Sequence, residues 1–323
     1  MKYNQLGTSG LMISQAGLGT MTFGKQVDQK EADRIVNYAF DAGINYFDTA
    51  DIYEQGRSEE LLGNSIKAIR HQIILASKVG LPVGTEPNEK GLSRRRILNS
   101  VEESLKRLQT DYLDIYYLHS PDPATSLEET LETMDDLVKQ GKIIYYAVSN
   151  YAAWQVGEMR HLAEKWGLKA PVATQNVYNL LTRDIERELL PYVSEKKQGL
   201  IVYNPLAGGL LSGKYSDIHS SQKNTRFSIK ENYKDRYWNK ANFEAVQTLE
   251  EAAKQENTTL LSLAIRWLAE NPLVSSTIIG VSCLEQLKQN LAIFEESELS
   301  EELKRICDKV WDEINNHRFQ YNR

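Results

Sequence analysis

The sequence predicts an α/β fold, a (β/α)8 TIM barrel with an N-terminal hairpin, a long loop after the seventh barrel strand and an extra C-terminal helix. Three observations lead there. Eight short apolar runs each follow or precede a stretch with helical spacing, and such alternation implies a parallel sheet. The chain is 323 residues long, close to the usual barrel length, and no linker or shift of composition interrupts it, so 1–323 is taken as one domain. The dinucleotide fingerprint of an open doubly wound sheet is missing, because Gly17-Leu18-Gly19-Thr20 is followed by Met21-Thr22 where a Gly-x-Gly-x-x-Gly turn needs its third glycine.

In chain order, residues 2–6 and 11–14 are short strands around the turn Gly7-Thr8-Ser9-Gly10, a hairpin expected outside the main sheet. Residues 16–20 form the first barrel strand, whose glycines suit close backbone approach at its exit. The helix at 29–42 carries Ala32, Ile35, Val36 and Ala39 at 3.6 spacing and leads into a strand ending at Asp48. The helix at 58–69 opens on a capping box at Ser58, with Glu59 and Glu60 in its first turn, and precedes a strand ending at Lys78. Helices at 93–108, 126–140, 152–166 and 184–197 precede strands ending at His119 and strands at 143–149, 172–175 and 200–204. Helices within 241–270 precede the eighth strand, 276–280.

Two segments exceed the repeat. Residues 205–239 are a polar, glycine-rich excursion, and long structureless loops in compact domains are usually lids or disorder. The tail, 300–323, starts as a helix at Ser300-Glu301-Glu302-Leu303, and Leu303, Ile306, Val310 and Ile314 give it an apolar face for the barrel.

Bulk properties narrow the functional classes. The chain is 41% hydrophobic and 25% charged, with a formal net charge of -6 and a pI near 5.6, which offers no basic field for nucleic acid. No window approaches the roughly 18 apolar residues of a membrane span, and residues 1–21 do not read as a secretion signal. The two cysteines, Cys283 and Cys307, sit in helix-like contexts that suit a reducing compartment, so a cytoplasmic location is expected.

Three neighbouring strands end on ionisable groups, Asp48, Lys78 and His119, and Tyr53 follows Asp48 by five positions. Singly, each has an ordinary structural explanation. In a closed barrel they meet at the C-terminal mouth, where chemistry occurs. A phenol has an ordinary pKa near 10. A nearby ammonium lowers it, and a buried aspartate keeps that ammonium charged and in place. His119 can donate to a substrate oxygen. The set suits protonation of a carbonyl oxygen while its carbon receives hydride. Other barrel chemistries fit less well. A retaining glycosidase needs two carboxylates about 5 Å apart, yet the fourth and seventh strands end in His119 and Asn204. The histidines, His71, His119, His161, His219 and His317, form no metal-spaced pair, so no metal is expected. A Schiff-base aldolase through Lys78 remains, although pairing with Asp48 would hold the amine protonated.

The motifs Gly17-Leu18-Gly19-Thr20-Met21, Phe47-Asp48-Thr49-Ala50-Asp51-x-Tyr53, Gly56-x-Ser58-Glu59, Ala76-Ser77-Lys78 and Leu118-His119 cover one half of the chain. Val148-Ser149-Asn150, Gln175-Asn176, Tyr203-x-Pro205-Leu206, the run from Gly208 to Tyr215 and Gly280-Val281-Ser282 cover the other. On these the sequence resembles the aldo-keto reductases over nearly its whole length, most of all the branch of voltage-gated potassium channel β subunits and their bacterial relatives.

The resemblance implies a tetrad of Tyr53 as proton donor with Asp48, Lys78 and His119, and NADPH lying across the barrel mouth. It implies that Ser149, Asn150 and Gln175 bond the nicotinamide carboxamide while Tyr203 stacks on the ring, and that Thr20, Met21, Asp48, Asn204, Pro205 and Gln289 are further cofactor contacts. Leu206, Gly208 and Lys214 would line the pyrophosphate, Arg226 and Lys214 would meet the 2′-phosphate, and Gly280, Ser282, Gln286 and Asn290 would hold the adenosine. Channel β subunits carry asparagine where this chain has His119, which places it nearer the ordinary catalytic members. The implied function is NADPH-dependent reduction of a small carbonyl substrate, and the alternative is an NADPH-binding, redox-sensing subunit. Relatives include monomers, dimers and tetramers, which leaves a homo-oligomer open.

Overall fold

The computed structural model describes residues 1–215, 218, 219, 227 and 231–315. Strands β3 (Ala16–Gly19), β4 (Tyr46–Asp48), β5 (Ile74–Val79), β6 (Leu113–Leu118), β7 (Ile143–Ser149), β8 (Ala173–Val177), β9 (Gly199–Tyr203) and β10 (Ser276–Gly280) close a parallel barrel in chain order, β10 pairing with β3. This is the predicted eight-stranded barrel. The hairpin strands β1 (Tyr3–Gln5) and β2 (Met12–Ser14) form their own antiparallel sheet, as expected. The hairpin does more than sit beside the barrel. Leu6 and Ile13 are fully buried and join the cluster of inward side chains, so the hairpin plugs the end opposite the mouth. Gly7 makes the close fit possible: its φ is +58, and a Cβ there would stand 2.4 Å from the amide nitrogen of Gly199.

Successive residues of a strand point to opposite faces, and both faces are buried here. Tyr46, Ile74, Ala76, Ile115, Tyr117, Ala147, Ala173, Ile201 and Ile278 fill the barrel. Phe47, Leu75, Tyr116, Leu118, Tyr146 and Val148 face the helices α1 (Gln29–Asp41), α2 (Arg57–Ile66), α3 (Arg94–Leu108), α4 (Leu127–Lys139) and α5 (Ala153–Trp166). Each fully buried Leu or Ile in these layers contributes about 1.5–3 kcal/mol. Ala32, Ile35, Val36 and Ala39 of α1 are buried as their spacing predicts. Side-chain caps at Asp28, Ser93 and Ser126 start α1, α3 and α4.

Local expectations fail in instructive places. Ser58 does not cap α2: Gly56, at φ +86, holds the N-cap position, and Ser58 lies inside the helix. Its hydroxyl donates to the carbonyl of Thr20 at 2.7 Å, fastening α2 to the exit of β3. The glycines of β3 serve barrel packing, since a Cβ on Gly17 would meet the ring of Tyr46 at 2.4 Å and one on Gly19 would meet Ile278 at 2.5 Å. The 184–197 helix is split into a 3-10 turn, Asp184–Glu186, and α6 (Leu189–Lys196). Pro191 has no N–H to bond a preceding turn, so it is tolerated only near the start of a helix.

The excursion after β9 is not structureless where it is described. It contains a 3-10 segment, Ala207–Ser212, and helix α7 (Glu231–Tyr237). Tyr215, Phe227, Trp238 and Phe243 pack edge to face, with ring centroids 4.8–5.6 Å apart. Helices α8 (Lys240–Gln255) and α9 (Leu260–Ala269) follow, and α10 (Leu284–Ala292) succeeds β10. Cys283 precedes α10 in extended backbone instead of lying in a helix. The extra C-terminal helix is α11 (Glu301–Ile314), whose Leu303, Cys307 and Val310 are buried in a cluster with residues of α8 and α9. Burial pushes the Cys307 thiol up to about 12. Among the described residues, no helix is long and apolar enough to cross a membrane.

Candidate active site

The C-terminal layer of the barrel interior carries charge, whereas the interior below it is filled by aliphatic side chains and phenols. Asp48 ends β4, Lys78 is the penultimate residue of β5, and His119 stands one residue past β6. The register pairs Asp48 with Ala76 and Lys78 with Tyr117, so the three positions step around one side of the mouth. Tyr53 opens a 3-10 segment, Tyr53–Gly56, tied back through its amide to the carbonyl of Ala50 at 3.1 Å. Glu54 and Gln55 adopt left-handed backbone there, at φ +47 and +57.

Lys78 is fully buried and donates to Asp48 Oδ1 and to the carbonyl of Thr49 at 2.8 Å. A buried ammonium is costly unless it is paired and hydrogen-bonded, and here it is both. Burial lowers the Lys78 pKa from its ordinary value, opposed by the carboxylate of Asp48 and, further off, those of Asp51 and Glu59. The second oxygen of Asp48 accepts from Tyr46 at 2.8 Å and from Gln175 Nε2 at 2.9 Å. Lys78 Nζ lies 5.2 Å from the centroid of the Tyr53 ring. The Tyr53 and His119 rings meet nearly at right angles, with centroids 6.0 Å apart. Burial, aided by the Lys78 charge, lowers the His119 pKa to about 3, so its imidazole is neutral at neutral pH. Its Nδ1 is buried with no hydrogen-bond partner among the described residues.

The structure thus brings the four expected residues together, Asp48, Tyr53, Lys78 and His119. Behind them lie two buried ion pairs that sequence reasoning passed over. Asp51 binds Arg96 at 2.5 Å and Ser100 at 2.8 Å, and Glu59 binds Ser77 at 2.5 Å and Arg107 at 2.7 Å. Burial raises the pKa of both acids, while their arginines oppose the rise. Tyr46 and Tyr117 were also missed as polar groups. Period two, counted back from Asp48 and His119, places each one inward position below the site residue on its own strand.

The expected cofactor residues separate into groups. Ser149 is buried at the end of β7, and Asn150, at φ +64, donates to the carbonyl of His119 at 2.9 Å. Tyr203 donates to Asn150 Oδ1 at 2.7 Å, bridging over β8. Gln175 is turned inward, toward Asp48. Thr20 is buried, bonded to the carbonyl of Asp48 through its hydroxyl at 3.1 Å, with Met21 half-buried beside it. Asn204 does not face the mouth freely: its Nδ2 donates to Tyr237 at 2.8 Å and its Oδ1 accepts from the amide of Gly208 at 2.8 Å. Pro205 is buried and Leu206 half-buried, while Gly208 and Gly209 hold φ of +72 and +105. Lys214 is exposed, its Nζ 5.3 Å from the Tyr215 ring centroid. Arg226 lies outside the described residues. Gly280 is exposed, and the amide of Ser282 donates to Gln286 Oε1 at 2.9 Å. Gln286 and Gln289 are exposed, whereas Asn290 is buried. Among the described residues, no group of three or more His, Cys, Asp or Glu side chains could hold a metal ion.

Comparison with known proteins identifies the family. The profile of the Aldo/keto reductase family matches residues 16–312. The chain is 38% identical to a "Probable voltage-gated potassium channel subunit beta" of Arabidopsis thaliana, over 90% of each chain. It is 35% identical to "Aflatoxin B1 aldehyde reductase member 2" of Rattus norvegicus, over 92% of this chain and 84% of that protein. It is 33% identical to the "Uncharacterized oxidoreductase YrpG" of Bacillus subtilis, over 96% of both.

Proposed function

From the premise that the chain belongs to the aldo/keto reductase family, we propose that it reduces small aldehydes and ketones to alcohols with NADPH. The observation that carries this reading is the contact of Lys78 with both Asp48 and the Tyr53 ring, with His119 across the ring edge. Tyr53 is the general acid. Lys78, held by Asp48 and Thr49, stabilises the phenolate that forms as the proton leaves. His119, neutral at working pH, donates an N–H to the carbonyl oxygen and orients it.

The residues present fit the dinucleotide. The glycines at Gly208 and Gly209 allow backbone to approach a phosphate. Ser149, Asn150 and Tyr203 would hold the nicotinamide end, Leu206, Gly208 and Lys214 the pyrophosphate, and Gly280, Ser282, Gln286, Gln289 and Asn290 the adenosine, with Arg226 toward the 2′-phosphate. When bound, NADPH supplies the hydride. A Schiff-base lyase fits poorly, because Lys78 is fully buried and donates to two oxygens.

A second reading, an NADPH-binding regulatory subunit, is favoured by the likeness to probable channel β subunits. One experiment separates the two. Mix the protein with NADPH and a panel including methylglyoxal and an aromatic aldehyde, and follow NADPH consumption. Steady turnover that disappears in Tyr53→Phe supports the reductase. Tight NADPH retention with no turnover on any carbonyl supports the regulatory reading.

A further inference from the structure

Around the Asp48–Lys78 pair the barrel holds two phenols that the proposed reduction does not use, Tyr46 one inward position below Asp48 on β4 and Tyr117 beside Lys78 on β6. Tyr46 and Tyr117 are fully buried. Tyr46 donates to Asp48 Oδ2 at 2.8 Å, and its oxygen lies 3.1 Å from that of Tyr117. A hydroxyl has a single proton to give, and that of Tyr46 goes to Asp48, so Tyr117 is the donor of the second bond. The order runs Tyr117 to Tyr46 to Asp48, and Gln175 joins at the same carboxylate oxygen at 2.9 Å. Every proton in this interior chain points at Asp48. Burial and the Asp48 charge push both phenols above their ordinary range, so they remain neutral donors. The barrel wall is shaped for the first of them. The ring of Tyr46 occupies the space of a side chain at Gly17, where a Cβ would stand 2.4 Å from its Cδ1.

We propose that Tyr46, backed by Tyr117 and seated by Gly17, is a positioning residue that sets the acidity of Tyr53. Its hydroxyl fixes the Oδ2 side of Asp48 and takes up part of the carboxylate charge, so that less of the Lys78 ammonium is neutralised and more of its field reaches the Tyr53 phenol. Hydrogen bonds in such chains polarise one another in a low-dielectric interior. The inference rests on the reading of Tyr53 as proton donor.

The test is Tyr46→Phe, with Tyr117→Phe as a second variant one bond further away. Two readouts are followed. The phenolate absorbance of each protein, minus that of the same protein carrying Tyr53→Phe, isolates the Tyr53 titration without turnover. The pH profile of kcat/KM for carbonyl reduction gives the kinetic counterpart. In Tyr46→Phe the Tyr53 titration and the basic limb of the profile are expected to move up together by about half to one pH unit, with NADPH Kd within about twofold of wild type. Tyr117→Phe shifts both in the same direction by less. Curves that superimpose on wild type, or shift downward, overturn the proposal even if the rate falls. If the wild type reduces no carbonyl, the reductase reading fails, while the difference titration alone still decides whether Tyr46 tunes Tyr53.

Discussion

The ammonium nitrogen of Lys78 stands 5.2 Å from the centroid of the Tyr53 ring and is hydrogen-bonded to Asp48, so a fully buried, paired cation lies against a phenol. That placement is what an acid catalyst needs, because the charge that stabilises phenolate is present before any substrate arrives. Tyr53→Phe keeps the ring and loses the proton. Its kcat/KM for aldehydes is expected to fall about 10²–10⁴-fold, with NADPH Kd changed less than about threefold. Steady-state kinetics beside a fluorescence titration of NADPH measures both, and retained turnover would remove Tyr53 from the mechanism.

His119 makes folding sensitive to acid. Its folded pKa is lowered to about 3 from an ordinary 6.5. As pH falls the unfolded chain takes up this proton first, so the stability associated with the neutral imidazole is full above about pH 6.5 and is lost progressively toward pH 3. In His119→Gln that loss is absent. The stability gap between wild type and variant should therefore move by about 2 to 3 kcal/mol against the wild type between pH 7 and pH 4.5. Urea unfolding at both pH values measures it, and a gap independent of pH would mean that His119 takes up its proton in the folded protein as readily as in the unfolded chain.

The barrel was legible because its signal is periodic and repeated. Asp48, Lys78 and His119 occupy the same phase of consecutive strands, and strands consecutive in a barrel are neighbours, so chain order alone predicts that they meet. Partners brought together by closure were not legible. Gln175 reaches Asp48 from β8, on the far side of the ring, and Asn204 is committed to Tyr237 in a helix 33 residues later. Local chemistry also misled where two uses compete. Ser58 followed by acids has the composition of a cap, yet a glycine with positive φ takes that position and frees the hydroxyl for Thr20. Tyr46 and Tyr117 went unremarked because an aromatic in a strand is usually core, and nothing local indicates where a hydroxyl will find its partner.

Glu59 offers a stability prediction outside the tetrad. It is fully buried, and its charge is met by Ser77 at 2.5 Å and Arg107 at 2.7 Å. Truncating one partner of a buried pair leaves the other charge uncompensated. Arg107→Leu should destabilise by about 2 to 4 kcal/mol, whereas Arg107→Leu combined with Glu59→Gln should recover part of that loss. Chemical denaturation of the three variants forms the cycle, and strict additivity would show that the pair is not coupled.

Gly17 and Tyr46 make the corresponding prediction for packing. A methyl group at position 17 would sit 2.4 Å from the Tyr46 ring and 3.3 Å from Ser276 Oγ, in a β3 fixed by its pairing to β4 and β10. The wall cannot move without breaking two ladders, so the ring must leave its rotamer, and overpacking of this kind costs about 1 to 3 kcal/mol. Tyr46→Val alone leaves a cavity and loses the bond to Asp48, at about 3 to 5 kcal/mol. In the double variant the methyl enters space the ring has vacated, so its cost should be smaller than the sum of the two by at least about 1 kcal/mol. Thermal and urea unfolding of all four proteins measures the coupling. Additive losses would mean that the methyl is accommodated by strand movement, and that Gly17 is not what seats the phenol.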